Sequence, residues 1–364
     1  MRMVVRNSSR GLALAWTTRS IDLGVLYQST NAATTDERRT IWGIGGSTQL
    51  GPVKLALQVV LFGPQGRGSF NEAGHAGALR ARAAGHDVGI AWIEDPSPQA
   101  RTQALLALYG TRPGLVVAHG GQGDVPVAAA ARHPGQRFVI TQGSALSANI
   151  ASYEVLQEQS AFLAGVPAAL TSQTGVVAHL SGEKVRPGLK GRAAFVHGVR
   201  SAVPGLPVLS TFCGHQHDPA LAAATVEAQA RAGADIVFAM IDGGRDGAIA
   251  ACRATGVRQI GNVLDWTARH PDVFLASAIA DSGLCVQRAI DDYVRGQVAW
   301  GTVRTFGLEV PEAVRLALAP GVGHGVRAAL DQWSQRLLDG SVSLPEAVAV
   351  DEFDIGSARC FGNT

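Results

Sequence analysis

Phe70 and Asn71 sit inside a fifteen-residue stretch, GPQGRGSFNEAGHAG (63–77), that holds five glycines and follows the apolar run VKLALQVVLF. A ring, an amide and a glycine-rich backbone at the end of an apolar strand could serve three chemistries. A dinucleotide fingerprint needs G-x-G-x-x-G opening a helix. Here Gly66-x-Gly68 has Asn71 at the third position, and no acidic residue ends the next strand in register. A P-loop needs a lysine after its last glycine, and none follows. The third chemistry is a ligand cleft, because small molecules bind beyond the carboxyl ends of strands in open α/β sheets. Phe70 offers a ring face there, Asn71 an amide, and the following helix its free N–H groups. A plain tight turn accounts for the glycines as well.

Two other stretches invite a chemical reading. His215-x-His217 beside Asp218 has metal-ligand residue types, but further ligands must come from elsewhere. Asp218 before Pro219 also reads as a helix cap. Asp242-Gly-Gly-Arg-Asp246 is either a second ligand loop or a glycine turn with Asp246 capping a helix. His119 and His179 end apolar runs, and His75 and His197 lie in helical ones. Each reads as a satisfied or surface histidine ahead of a general base. No Gly-x-Ser-x-Gly elbow occurs, and no Cys/His pair has a recognisable context. The residues therefore favour holding a ligand over converting it: no catalytic residue, metal or cofactor is assigned.

The elements that must position these residues follow from the pattern. The 364 residues suit two domains, and 46% hydrophobic residues supply ample cores. Net charge is +2 without any basic block, which argues against nucleic acid and anionic membrane surfaces. Cys213, Cys252, Cys285 and Cys360 lack metal-ligand spacing. No apolar run reaches transmembrane length. Residues 1–52 read as a non-core extension whose short apolar stretch, GLALAW, is a poor signal-peptide core. From Val53 a regular beat begins, with strands at 53–62, 87–94, 114–119 and 136–142. Helices fall at 71–85, 98–109 and 125–131, then a long one at 153–171. A second round has strands at 175–180, 208–213, 235–241 and 258–263, with helices at 188–203, 219–233 and 246–255. The remainder holds strands at 273–279 and 302–308 and helices at 283–295 and 326–339. Strict alternation in two rounds predicts two doubly wound parallel-sheet lobes, with the last elements crossing between them.

In order and spacing the motifs resemble the basic membrane protein family of ABC-transporter solute-binding proteins. The likeness begins at Ser69-Phe70-Asn71. It continues through Gln159-Ser-Ala-Phe-Leu-Ala-Gly165, Thr174-Gly-Val-Val-Ala178 and Phe195-x-x-Gly198, then Asp218-Pro219 and Ala232-Gly-Ala-Asp-Ile-Val-Phe238. The resemblance implies a type I periplasmic-binding-protein fold with a multi-strand hinge, and commonly a purine nucleoside as ligand. Several family ligand positions are altered. Gly121 and Gln122 stand where the family places an aromatic residue, Gln142 replaces a strand-end aspartate, and Gln216 replaces a second aromatic. Asp265 and Trp266 close the segment that matches V-D-S-D-Q, and Ala280 replaces a lysine. Amides that donate and accept at once suit a neutral heterocycle better than a ribose held by two carboxylates.

The expected ligand residues are thus Ser69, Phe70, Asn71, Gly121, Gln122, Gln142, Gln216, Asp242, Gly243, Asp265 and Trp266. The expected division is lobe 1 at 53–172 plus about 264–300, lobe 2 at 173–263 plus about 301–345, and a tail at 346–364. The expected function is capture of a nucleoside, nucleobase or similar flat heterocycle for an ABC permease, by a monomer without nucleic-acid partners. A cytoplasmic ligand sensor of the same fold is the first alternative, and a hydrolase or isomerase the second. A true signal peptide upstream would place the protein in the periplasm or cell envelope; the given start would keep it in the cytoplasm.

Overall fold

The computed structural model describes residues 2–355, apart from 4–9, 18–20, 32–37, 51–52, 64, 67–68, 96, 109–113 and 121–123. Two compact units divide the chain. Unit 1 comprises Met1–Gly66, Phe70–Glu154 and Ser282–Thr305, and unit 2 comprises Arg67–Ser69, Val155–Asp281 and Phe306–Thr364.

Unit 1 is built on a ten-stranded sheet. Its first strands are β1 (Arg2–Met3), β2 (Arg10–Thr17), β3 (Ile21–Asn31) and β4 (Arg38–Leu50). The parallel centre follows with β5 (Val53–Phe62), β6 (Val88–Ile93), β7 (Gly114–His119), β8 (Arg137–Thr141) and β9 (Ile150–Val155). The order is β1-β2-β3-β4-β6-β5-β7-β8-β9-β15, with β15 at Val303–Phe306. Val59, Val60 and Leu61 of β5 are fully buried, as a central parallel strand covered on both faces requires. Helices α1 (Ser69–Ala83), α2 (Pro98–Leu108) and α3 (Asp124–Arg132) connect these strands.

Unit 2 has six strands in the order β11-β10-β12-β13-β14-β16. These are β10 (Val177–Ser181), β11 (Val208–Phe212), β12 (Ile236–Met240), β13 (Arg258–Val263), β14 (Phe274–Ala280) and β16 (Val314–Leu318). All pairings are parallel except β14 with β16. Helices α4 (Gln157–Thr171), α5 (Arg186–Ala202), α6 (Pro219–Arg231), α7 (Arg245–Thr255) and α9 (His324–Leu338) belong to this unit, and α8 (Ser282–Val294) to unit 1. The α/β class with two parallel-dominated sheets is as expected. Asp218 caps α6, its carboxylate accepting from the Ala220 and Leu221 amides at 2.9 and 3.0 Å.

Four local features differ from the expected pattern. Residues 153–155 are not helical: β9 runs from Ile150 to Val155 in parallel register with β8, and α4 starts at Gln157. Sheet pairing and the burial of Tyr153 override the apolar helical spacing there. Gly244, and not Asp246, is the N-cap of α7. The extension at 1–52 is not outside the sheet, because β4 pairs antiparallel with both β5 and β6. The 346–364 segment is not a free tail over its described part. The Phe353 amide donates to the Ser210 carbonyl at 2.8 Å, and Glu352 pairs with Lys184 at 2.7 Å. The chain passes between units after Glu154, Asp281 and Thr305, so that 155–172 and 264–281 lie in unit 2 and 282–305 in unit 1.

Candidate functional site

In unit 1 the carboxyl ends of β5, β7 and β8 carry the cluster. Ser69 opens α1, and Phe70 follows, half-buried. Asn71 is buried, and its amide nitrogen donates to the Phe62 carbonyl at 3.0 Å, tying the end of β5 to the start of α1. Its Oδ1 is buried and makes no hydrogen bond, an acceptor that burial makes costly to leave unmet. Gly63 at φ +133 permits this approach, since a Cβ there would lie 2.7 Å from the Asn71 amide nitrogen.

His119 ends β7 and is completely buried. Its Nε2 lies 2.9 Å from the Phe70 carbonyl and its Nδ1 2.8 Å from the Thr141 hydroxyl. A carbonyl can only accept, so the proton sits on Nε2 and the hydroxyl donates to Nδ1. Burial pushes the imidazole down to about 4, against a weaker upward effect of the Phe70 carbonyl, and the ring is neutral at physiological pH. Gln142, the next residue after β8, is buried and held at φ 57, and its backbone N–H donates to the Tyr153 carbonyl at 2.9 Å. Phe70, Asn71 and Gln142 are thus brought to one end of one sheet. Gly121 and Gln122 lie outside the described residues.

Unit 2 assembles a second cluster at its own strand ends. The Gln216 carbonyl accepts from the Asp242 and Gly244 amides at 3.2 and 3.0 Å. The Gly243 amide donates to His217 Nδ1 at 3.2 Å. Gln216 also lies tight over Gly182 at the end of β10, where a Cβ would fall 2.6 Å from its amide carbon. The loops after β11 and β12 are therefore knitted together, which brings Gln216, Asp242 and Gly243 side by side. Asp265 is exposed, and one carboxylate oxygen accepts from the Thr267 amide and hydroxyl at 3.0 and 2.6 Å. Trp266 is pinned, its Nε1–H donating to the Asn262 carbonyl at 3.1 Å. The Arg245 and Arg269 guanidiniums lie 4.4 and 5.2 Å from its ring centroid, and Phe274 is nearly parallel at 6.1 Å. Much of the indole surface is thereby engaged within the unit.

His215 and His217 are tied into the loop by their ring nitrogens. Each Nδ1 already accepts a backbone N–H, from His217 and Gly243 respectively, and among the described residues no group of three or more His, Cys, Asp or Glu could hold an ion. His179 is a core histidine, fully buried between the Ser181 and Ser210 hydroxyls and pushed down to about 3, chiefly by burial.

Three residues here escape a motif reading. Arg245, buried at the start of α7, donates to the Ile241 carbonyl and, at 2.7 Å, to Asn262 Oδ1, joining the ends of β12 and β13. Val263, at the end of β13, is held at φ 68. His119 gave a sequence signal only as a strand-end histidine. An open groove of about 750 Å³ lies away from these ends, at the amino end of β11 beneath Val348–Phe353.

Residues 57–317, well over half of the chain, match the family described as PnrA-like ABC transporter substrate-binding proteins, Bmp. A solute-binding protein of an ABC transporter system from Aeropyrum pernix K1 has a TM-score of 0.70 at 18% identity, covering 84% of this chain and 98% of that one. A transcriptional activator of the comK gene from Bacillus halodurans has a TM-score of 0.67 at 18% identity, covering 79% and 99%. The transcriptional activator protein med of Bacillus subtilis is 24% identical over 169 residues, 46% of this chain. The match spans about half the length of that curated relative (52%). The structural likenesses establish the fold, a periplasmic-binding-protein-like pair of α/β units. The match over 57–317 establishes more: the chain belongs to the PnrA-like (Bmp) family of ABC transporter substrate-binding proteins.

Proposed function

We propose that the protein captures a flat heterocycle, a purine nucleoside or nucleobase, for an ABC importer in the cell envelope, without converting it. The proposed ligand residues are Ser69, Phe70, Asn71, Gly121, Gln122 and Gln142, with Gln216, Asp242, Gly243, Asp265 and Trp266 of the strand-end cluster in unit 2. One observation carries this reading. In each unit a non-glycine residue is held at positive φ just where a parallel strand ends, Gln142 at 57° and Val263 at 68°. A β-branched residue there is a genuine outlier, and such strain concentrates at ligand clamps. The half-buried Phe70 ring and the amides Gln142 and Gln216 supply stacking and two-way hydrogen bonding.

The test is a thermal-shift screen of adenosine, guanosine, inosine and the corresponding bases. A hit at a hundredfold excess over Kd adds about 2.7 kcal/mol to stability. Phe70→Ala should abolish the shift, and chromatography should recover the ligand unchanged. A panel without any hit removes the heterocycle from the reading; a converted product removes the non-enzymatic part.

A ligand sensor of the same fold is the second reading, favoured by the likeness to the med and comK activators. Cell fractionation separates the two: the importer reading places the native chain in the envelope fraction, the sensor reading in the cytosol.

A further inference from the structure

The edge of the unit 2 sheet is β11, and the end of the chain lies along it. β11 pairs with β10 in parallel register, Val177 opposite Val208 and Ser181 opposite Phe212. The Val177 N–H donates to the Pro207 carbonyl at 3.1 Å, and the Cys213 N–H to the Ser181 carbonyl at 2.8 Å. Residues 207, 209, 211 and 213 therefore turn their backbone groups toward β10, and Val208, Ser210 and Phe212 turn theirs outward. The chain itself meets one of these groups. The Ser210 carbonyl accepts from the Phe353 N–H at 2.8 Å, Ser210 and Glu352 form a parallel bridge, and the Thr211 hydroxyl donates to the Phe353 carbonyl at 3.3 Å. Charge directs the same contact. Residues 346–354 hold four acidic residues and no basic one. Glu352 lies 2.7 Å from Lys184 and 3.8 Å from Arg192, and Glu346 lies 3.7 Å from Arg186. Arg200 lines the groove at the other end of β11. An acidic segment thus faces a basic rim.

We propose that residues 346–354 are an exchangeable strand through which two copies of the chain associate, each laying its acidic segment along β11 and the basic rim of the other. Ligand identity plays no part in this. Every contact of the exchanged form is one seen within the single chain, made instead between copies. A second copy brings the same four acids and the same Phe353 N–H, so charge and main-chain pairing match by identity. The segment is also lightly held. None of its residues is fully buried, although Val348 and Val350 pack against the core of unit 2. The pairs of Lys184 and Arg186 lie between exposed side chains, and such pairs hold weakly. A segment of this kind opens at the low end of the cost scale. In dilute solution a copy's own segment competes at an effective concentration of roughly millimolar, which favours the closed monomer. Exchange wins where docking within one chain is repelled and docking between chains is attracted.

The experiment uses two full-length variants. One carries Glu346→Lys and Glu352→Lys, which sets a basic segment against the natural basic rim. The other carries Lys184→Glu and Arg186→Glu, which sets the natural acidic segment against an acidic rim. All four side chains are exposed, so neither variant disturbs a core. Alone, each variant should be a monomer by light scattering, with the amides of 346–353 exchanging with deuterium at the rate of open chain. Mixed in equal amounts, the two should form a species of twice the monomer mass in which those amides are protected again. A mixture that stays monomeric overturns the proposal. A dimer whose 346–353 amides remain unprotected overturns it as well, since the association then lies elsewhere. Protection of the segment in either variant alone does the same, because charge would then not be what holds it.

Discussion

His119 and His179 each make a stability cost that depends on pH, and its sign follows from their environment. Burial holds the first down to about 4 and the second to about 3, while an unfolded histidine titrates near 6.5. Between those values the unfolded chain binds more protons than the folded one, so stability rises with pH across the window. It is fully present above about pH 6.5 and is lost as pH falls toward 4, by roughly 1.4 kcal/mol per pH unit for each histidine. Urea midpoints measured from pH 7 to pH 4 should therefore fall. The slope should flatten in His119→Phe, and an unchanged slope there would remove His119 as its source. At this scale the sequence was partly legible. Asp218 before Pro219 announces a cap, because the cap needs only its own next residues. His119 was visible only as a polar residue ending an apolar run. Its partners Phe70 and Thr141 are 49 and 22 positions away, and no local spacing encodes such a triangle.

Helices α4 and α5 show how small residues set the geometry of an element pair. A Cβ on Gly198 would fall onto the Phe162 carbonyl, and one on Gly165 onto the Phe195 carbonyl. The two backbones touch where their side chains vanish, and Phe162 and Phe195 are fully buried beside the contact. Gly198→Ala should thus destabilise by about 1–3 kcal/mol through overpacking, even though alanine is intrinsically the better helix former by roughly 1 kcal/mol. A lowered urea midpoint with an unchanged slope would bear this out. A raised midpoint would mean that propensity wins and the helices can part. Elements with an unbroken apolar run were easy to read: β5 is a ten-residue strand that coincides with such a run and is buried from Leu57 to Phe62. Those whose character depends on a distant partner were not. Val314–Leu318 has one buried residue and four that are exposed or half-buried, and it becomes a strand because β14 offers it an antiparallel edge. The same holds for β9, whose residues continue smoothly into an apolar helix.

For the whole molecule, the binding reading demands a change of state that the ligand itself favours. Besides the short Arg67–Ser69 excursion, the chain changes unit after Glu154, Asp281 and Thr305. Just on the unit 1 side of two crossings, Tyr153 and Arg304 meet Asp292: the Tyr153 hydroxyl donates to Asp292 Oδ2 at 2.7 Å, and the Arg304 guanidinium pairs with the same carboxylate. Burial and the carboxylate push the phenol well above its usual range, so it stays a donor. This tie anchors both strands at the edge of unit 1. A ligand with equal affinity for two forms of the chain would shift nothing, however tightly it bound. Some of its contacts must therefore form in one of the two forms alone. Small-angle scattering should show the radius of gyration fall when the screened ligand is added, and stay unchanged in Phe70→Ala. Asp292→Asn should keep the fall while lowering the melting point, since it weakens the anchor and leaves the stacking face intact. A ligand that raises the melting point without reducing the radius would mean that binding needs no change of form, and that part of the reading would have to be abandoned.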